Sequence, residues 1–319
     1  VKKGIDPRDH KRDEQESARQ ANNLNKNTFQ KVAKSYISEN QPSWSSEVTK
    51  KQWPNSLRDY VYPIIGSKPV HLITIHDVLS VLRPIWSEKN TTARRVRSRI
   101  ENILDYSTTL EMREGNNPAV WRGNLKMVLP APSKLHKIKP HPAIPYNELH
   151  DFLAELRSRK GVGARALEFA ILTGSRTRPL LLAKWEDIDF DNSIWNCPEG
   201  NMKSRKFFRI PLCEPAMEII HNQRKTSRGE YIFGHEQTGK MSSNNCMLYT
   251  IYRMGHKGKV TTHGMRSTMR DWAGETTKYS ERIVEVCLDH MVNTAVEAAY
   301  QRGDYLIKRR EIMDGWGRF

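Results

Sequence analysis

The stretch LTGSRTRPLLLAKWEDID, residues 172–189, predicts a junction between two helices. The segment before it, GARALEFAILTG, is apolar enough for a buried helix and ends at Gly174, which suits a left-handed C-terminal cap. Pro179 falls near the first turn of the next helix, where its missing N–H costs nothing. Arg176 therefore lies just after a helix break.

Around this junction the sequence predicts a mainly helical domain with one small sheet. NELHDFLAELRSR, residues 147–159, is amphipathic, and Asn147 is a plausible N-cap. SIWNCPEGNMKSRKFFRIPL, residues 193–212, alternates and contains turn residues, which indicates a short antiparallel sheet with Lys203 at a hairpin. Residues 214–319 are expected to be mainly helical, so the fold class of this part is α+β.

Upstream, residues 28–120 show apolar side chains at helical spacing and predict an all-α domain. One predicted helix, TARRVRSRIENILDYS, has an apolar stripe and four arginines distributed over its other faces: Arg94, Arg95, Arg97 and Arg99. These arginines are either a solvated face or a phosphate-contacting surface, and the second interpretation suits so basic a chain better.

A proline-rich segment separates the two predicted domains. LPAPSKLHKIKPHPAIPY, residues 129–146, contains five prolines and no sustained periodicity, so residues 129–145 are interpreted as a linker between domains 28–128 and 146–319. If the linker is extended, it could reach around a duplex, and its lysines would then follow the phosphate backbone: Lys134, Lys137 and Lys139.

Composition narrows the class of protein. The 319 residues give a formal net charge of +16, spread along the whole chain, which favours a polyanionic partner, most simply nucleic acid, over a merely basic soluble protein. The sequence has neither a long apolar run nor a signal segment, so a cytoplasmic location is expected. The four cysteines are widely spaced, which argues against structural zinc or a disulfide framework.

Four stretches in order carry the strongest functional signal. They are LTGSRTRPLLLAKWEDID, GNMKSRKFFRIPL (200–212), HGMRSTMRDW (263–272) and CLDHMVNTAVEAAY (287–300). Together they resemble the tyrosine recombinase family, specifically the integrases of phages and integrative elements. The resemblance covers nearly the whole chain.

The resemblance implies a role for each candidate residue. Arg176 and Arg266 correspond to the two phosphate-binding arginines, and Lys203 to the hairpin lysine. The remaining candidates are the two histidines and the nucleophile: His263, His290 and Tyr300. The sequence departs from the family pattern at Pro179, where an acidic residue usually follows the first arginine by three positions, and this makes the orientation of Arg176 an open question.

The implied chemistry agrees with these residue types. A phosphodiester under attack gathers negative charge on its non-bridging oxygens, which guanidinium and imidazole donors can bind. The tyrosine hydroxyl has a reference pKa near 10, so nearby cations or a base must favour the phenolate. Attack would link Tyr300 to DNA and conserve the bond for rejoining, and we expect neither a metal nor a cofactor.

The resemblance also implies partners. It predicts double-stranded DNA attachment sites, a homotetramer on DNA, a host DNA-bending protein, an excision or directionality factor, and action at the nucleoid of a bacterial host. Residues 1–27 are expected to be a linker that follows an arm-type DNA-binding domain. The tail YLIKRREIMDGWGRF would dock on a neighbouring protomer or fold back on its own domain, and the neighbour is favoured; its apolar residues are Leu306, Met313, Trp316 and Phe319.

Two other functions stay open at this point. A type IB topoisomerase shares the chemistry but relaxes supercoils alone, and a silent DNA-binding regulator could use the same fold. Taken singly, each candidate also has a structural explanation: Tyr300 as a core aromatic, Lys203 as a solvated turn lysine and His290 as a core histidine. Their joint occurrence, in order and with matching flanks, favours the recombinase.

Overall fold

The computed structural model describes residues 24–131, 140–290 and 303–319. The chain divides into two compact units, residues 1–138 and 139–319, each with its own hydrophobic core. In its described part, the first unit is built from helices. They are α1 (Phe29–Asn40), α2 (Glu47–Tyr60), α3 (Tyr62–Ile65), α4 (Ile75–Trp86) and α5 (Asn90–Thr109).

The core of the first unit forms where α4 and α5 turn apolar faces inward. Val96, Ile100 and Ile103 are fully buried along α5, as their spacing predicts. The start of α4 is fixed by a capping box, in which Thr74 and Asp77 exchange side-chain and backbone hydrogen bonds. The buried stripe of α5 and the capped start of α4 thus define the core of this unit.

The arginines of α5 do not share one environment. Arg94 and Arg95 are exposed, but Arg97 donates to Glu101 and to the carbonyl of Ala119, at 2.6 and 2.8 Å. Arg99 is only 8% exposed and donates to the carbonyl of Gln52, 2.9 Å away. The placement of Arg99 on an outer face is therefore wrong, because its guanidinium ties α5 to α2.

The second unit combines helices with a small antiparallel sheet. Its helices are α6 (Leu149–Ser158), α7 (Val162–Thr173), α8 (Thr177–Leu181), α9 (Glu214–Thr226), α10 (Cys246–Arg253), α11 (Met265–Thr276), α12 (Glu281–Cys287) and α13 (Leu306–Arg318). Its strands are β1 (Ile188–Asp189), β2 (Ile194–Cys197) and β3 (Phe208–Pro211), paired in that order, with Trp195 opposite Ile210. The predicted hairpin is confirmed by the pairing of β2 with β3.

Helix α7 lies in the core of the second unit. Its residues from Gly163 to Thr173 are buried apart from Arg165, and Gly174 ends the helix with φ +58°, as predicted. The one buried acid of this helix is Glu168. Its carboxylate accepts hydrogen bonds from Arg157 and Arg165 at 2.7 and 2.8 Å. A central apolar helix that ends sharply at Gly174 sets the position of Arg176.

The C-terminal tail packs on its own unit. Ile312, Met313 and Trp316 of α13 are buried, and the indole N–H of Trp316 donates to the carbonyl of Ile171 at 2.8 Å. Trp316 also stacks with Phe319 and packs against Trp272. The expectation that a neighbouring protomer covers the tail is wrong for Met313 and Trp316, because they are buried in their own unit, whereas Phe319 remains 51% exposed.

Two further details concern the boundary of the second unit. Asn147 lies inside a 3-10 turn (Tyr146–Glu148), and α6 begins at Leu149 without a side-chain cap, so the predicted N-cap is wrong. The last part of the predicted linker is packed, since Ile144 is buried in the second core. Among the described helices, none is long and apolar enough to cross a membrane.

Candidate active site

Arg266 occupies the centre of the candidate site. It lies in the first turn of α11 and is 4% exposed. Its guanidinium donates to the carbonyls of Gly174 and Leu288, where α7 and α12 end, and Nη2 lies 3.1 Å from Nε2 of His290. Burial, followed by the positive charge of Arg176, lowers the pKa of Arg266 to about 10, so the side chain remains a cation at neutral pH.

Arg176 is held by an acid that the sequence analysis missed. Its Nη1 pairs with the carboxylate of Asp289, and its Nη2 donates to the backbone carbonyl of the same residue at 2.9 Å. Asp289 has φ +51°, a left-handed conformation that aspartate tolerates better than most residues. The acid absent at Pro179 is thus supplied from the loop before His290, and the orientation of Arg176 is defined.

His290 connects the arginines to a second carboxylate. Its Nδ1 contacts Oε2 of Glu285, and Glu285 also pairs with Arg270. Because a guanidinium can only donate, Nε2 of His290 must accept from Arg266, which leaves the proton of the neutral ring on Nδ1 facing Glu285. Glu285 therefore fixes both the tautomer and the direction of this ring.

His263 lies just before α11 rather than on it. The helix begins at Met265, so His263 precedes its first turn and Arg266 lies within that turn. The imidazole is exposed and contacts His141 edge to face, with ring centroids 4.7 Å apart. Partial burial lowers the pKa of His263, and the nearby charges of Arg266 and His141 lower it further.

Lys203 lies on the connection between β2 and β3, as predicted, and is exposed. Its neighbour Met202 and, across the connection, Phe208 line a narrow cleft together with both arginines of the site. The base of the hairpin therefore borders the arginine cluster. An exposed lysine on such a connection can approach a ligand bound there.

Several predicted residues lie outside the described ranges. These are the predicted nucleophile and the linker lysines: Tyr300, Lys134, Lys137 and Lys139. Just after the nucleophile stretch, Asp304 accepts two hydrogen bonds from Arg209 of β3, both 2.9 Å long. The described chain from residue 303 onward is thereby attached to the sheet next to the cleft.

The missed residues, Asp289 and Glu285, had a weak signal in the sequence. Asp289 stands beside His290 in a quoted stretch, but its partner Arg176 is 113 positions away. Glu285 lies five residues before His290 and carries no spacing pattern of its own. A missing acid at Pro179 was the one hint that another carboxylate must serve Arg176.

The assembled groups suit a phosphate diester. Two arginines and two histidines come together in one region: Asp289 holds Arg176, Glu285 holds His290, and backbone carbonyls hold Arg266. Fixed cationic donors of this kind stabilise charge that develops on non-bridging oxygens. In the part of the chain that the structure describes, no three His, Cys, Asp or Glu side chains are placed to hold a metal ion.

Comparison with known proteins identifies the class. Residues 29–124 match the phage integrase central domain, and residues 144–305 match the phage integrase family. The two matches span most of the chain. The chain belongs to the phage integrase family, the tyrosine-type site-specific DNA recombinases.

Curated relatives come from phages and prophages. The prophage integrase IntZ of Escherichia coli K12 is 29% identical over 291 residues, covering 90% of this chain and 70% of that protein. The integrase of Enterobacteria phage P4 is 28% identical over 337 residues, covering 99% of this chain and 73% of that protein. Each relative therefore aligns over most of its own length.

Solved structures support the same fold. A lambda integrase dimer bound to a COC′ core site has a TM-score of 0.67 at 17% identity, covering 84% of this chain and 96% of that one. The Tn1549 transposon integrase in complex with circular intermediate DNA has a TM-score of 0.65 at 14% identity, covering 90% and 99%. At 14–17% sequence identity, these similarities show a shared fold.

Proposed function

We propose that this integrase cleaves and exchanges DNA strands through a 3′-phosphotyrosine at Tyr300, without a metal ion or another cofactor. The observation that carries the proposal is the single cluster in which Arg176 and Arg266 meet through Asp289, Leu288 and His290. These arginines are the only pair that the family pattern assigns to phosphate, and the fold brings them together from segments far apart in the sequence.

In this mechanism the phenolic oxygen of Tyr300 attacks the scissile phosphorus as its proton passes to the uncharged imidazole of His263, and the bond to the 5′ oxygen breaks. Arg176, Arg266 and His263 bind the negative charge on the non-bridging oxygens, while His290 accepts from Arg266 and holds it in place. Lys203 donates a proton to the departing 5′ oxygen, because an ammonium can give up a proton where a guanidinium hardly can. Attack by a 5′ hydroxyl of another strand reverses these steps and rejoins the DNA.

DNA binding is assigned to both units. Residues 28–128 act as a core-type DNA-binding domain, residues 146–319 as the catalytic domain, and residues 129–145 as the linker whose lysines follow the backbone. Arg94 and Arg95 are the exposed arginines of α5 and remain its candidates for phosphate contacts. The net charge of +16 favours this extended contact.

The proposed oligomeric state rests on similarity to a solved integrase structure. A structural neighbour is a lambda integrase tetramer bound to a Holliday junction, with a TM-score of 0.67. We extend that arrangement to this chain as a homotetramer on two attachment sites. A host DNA-bending protein and a directionality factor would complete the reaction, in the cytoplasm of a bacterial host.

The test uses DNA that the element itself supplies. The element circularises in its host, and the DNA junction of that circle is amplified with primers that point outward from the integrase gene. A duplex of the junction sequence is then prepared with a nick near the cleavage point. Cleavage releases a short fragment that diffuses away, so the covalent adduct cannot rejoin. The unaltered protein should form a covalent adduct, and Tyr300→Phe should bind the duplex but form none. Absence of an adduct with the unaltered protein would favour a DNA-binding regulator.

A second substrate separates the recombinase from a topoisomerase. Two duplexes with different flanks should yield recombinant junctions when the unaltered protein is present. Relaxation of a supercoiled plasmid without recombinant junctions would support the type IB topoisomerase instead.

A further inference from the structure

The segment 140–145, which enters the second unit, is fastened along the start of α11. The carbonyl of Pro142 accepts from the backbone N–H of Thr261 at 3.0 Å and from its hydroxyl at 3.3 Å. Two residues on, the carbonyl of Ile144 accepts from the buried hydroxyl of Thr268 at 2.7 Å. Three hydrogen bonds and one buried apolar side chain therefore fix this segment beside His263.

The close approach depends on Gly264, which precedes α11. A Cβ at this position would overlap the carbonyl of Pro142 and come within 3.1 Å of the Cα of Ala143. Since φ at Gly264 is −61°, its backbone does not require glycine, and the need arises from contact with the segment alone. The sequence next to His263 is thus adapted to hold residues 142 and 143.

This attachment places one imidazole against another. His141 precedes Pro142 and contacts His263 with ring centroids 4.7 Å apart and planes at 78°. Both rings are exposed, so the pair is accessible from solvent. The other charged groups that act on His263 are Arg266, Arg176 and His290.

We propose that His141 is a positioning residue for strand cleavage, whose ring fixes the orientation of the His263 imidazole beside Arg266. The proposal rests on the proposed function, because it concerns how His263 serves that reaction. The two rings adopt the edge-to-face arrangement that aromatic pairs prefer, and this contact favours one orientation of the His263 ring. The first residues of the second unit thereby contribute to the chemistry of the site.

The contact has an electrostatic consequence as well. Together with partial burial and Arg266, His141 keeps the pKa of His263 below its ordinary value. An uncharged His263 can take up a proton during the reaction, which suits acid–base work near neutral pH.

The test compares two substitutions that separate packing from charge. His141→Phe retains an aromatic ring against His263 but cannot be protonated, whereas His141→Ala removes both. His150→Ala, which alters an exposed histidine on α6, is the matched control. Single-turnover cleavage of the nicked junction duplex is measured across pH for each full-length protein, with DNA affinity measured in parallel.

Removal of the His141 charge should let the pKa of His263 rise. The acid limb of the rate profile should therefore move to higher pH in both His141 variants. The plateau rate should stay near that of the unaltered protein in His141→Phe and fall roughly tenfold in His141→Ala, part of the range that an acid–base group contributes. DNA affinity should be unchanged in both variants, as in His150→Ala.

The proposal is overturned if the acid limb of His141→Phe coincides with that of the unaltered protein. It is equally overturned if His141→Ala cleaves at the unaltered rate at every pH. Either result leaves adduct formation by the unaltered protein in place, so it is distinct from failure of the proposed function, in which that protein forms no adduct.

Discussion

Asp289→Asn tests whether the acid in the loop before His290 orients Arg176. The substitution removes the negative charge that pairs with Nη1 but keeps the backbone carbonyl that accepts from Nη2 at 2.9 Å. Asparagine tolerates the left-handed backbone of this position, where φ is +51°. Any loss therefore reports on the carboxylate and not on a change in the loop.

The expected loss of cleavage rate in Asp289→Asn depends on the contacts that Arg176 keeps. Removal of one preorganised charge-binding donor costs about 10²- to 10³-fold in rate. Asp289→Asn keeps the donor and one of its two attachments, so we expect a smaller loss of about ten- to thirtyfold, or about 1.4 to 2 kcal/mol of transition-state stabilisation. Arg176→Ala should lie in the larger range.

The assay is single-turnover cleavage of the nicked junction duplex at saturating protein, with Asp271→Asn as a control for the change in net charge at an exposed acid. Asp271→Asn should cleave like the unaltered protein. An unaltered rate in Asp289→Asn would refute the assignment of Asp289 as the partner that orients Arg176.

Three further outcomes are expected from the packing and charges described above. Trp316→Ala should lower the free energy of unfolding by about 3 to 5 kcal/mol, because the indole is buried in its own unit; unaltered stability with lost assembly in denaturation and sedimentation experiments would restore docking on a neighbour. Lys203→Ala should recover cleavage on a substrate with sulfur at the bridging 5′ position, while Arg176→Ala should not; a Lys203→Ala protein that stays equally defective would identify another acid. Arg94→Ala should weaken DNA binding and reduce its salt dependence, whereas Arg99→Ala should cost about 2 kcal/mol of stability; the reverse pattern in binding and melting data would contradict their assignments.

Local features of the fold could be predicted because their causes are local. Gly174 adopts the left-handed cap that its position after an apolar helix requires, and the alternating segment around Lys203 forms the hairpin. Asn147 was wrongly placed at an N-cap because the preceding Pro145 starts a 3-10 turn that continues to Glu148. Residue type alone does not distinguish an α-helix that begins at Asn147 from a 3-10 turn that includes it.

The sequence predicts which residues form the site but not which residues they contact. The family pattern indicates Arg176 and Arg266, but their carboxylate and histidine partners come from tertiary structure. Asp289 and His141 have no helical or strand periodicity that points to their partners, which lie more than 100 positions away. Burial of α13 likewise depends on which surface is available to its apolar face, and amphipathicity does not specify that surface.

The central claim is that Tyr300 forms the covalent bond to DNA. Two other tyrosines lie near the C-terminus, but the hydroxyl of Tyr279 already donates to the carbonyl of Glu311 at 3.1 Å, and Tyr305 packs against the core. The most direct measurement is peptide mapping of the trapped adduct by mass spectrometry. The account predicts a nucleotide attached through phosphate to Tyr300 and no adduct in Tyr300→Phe, while an adduct in that variant, on Tyr279 or Tyr305, would contradict it.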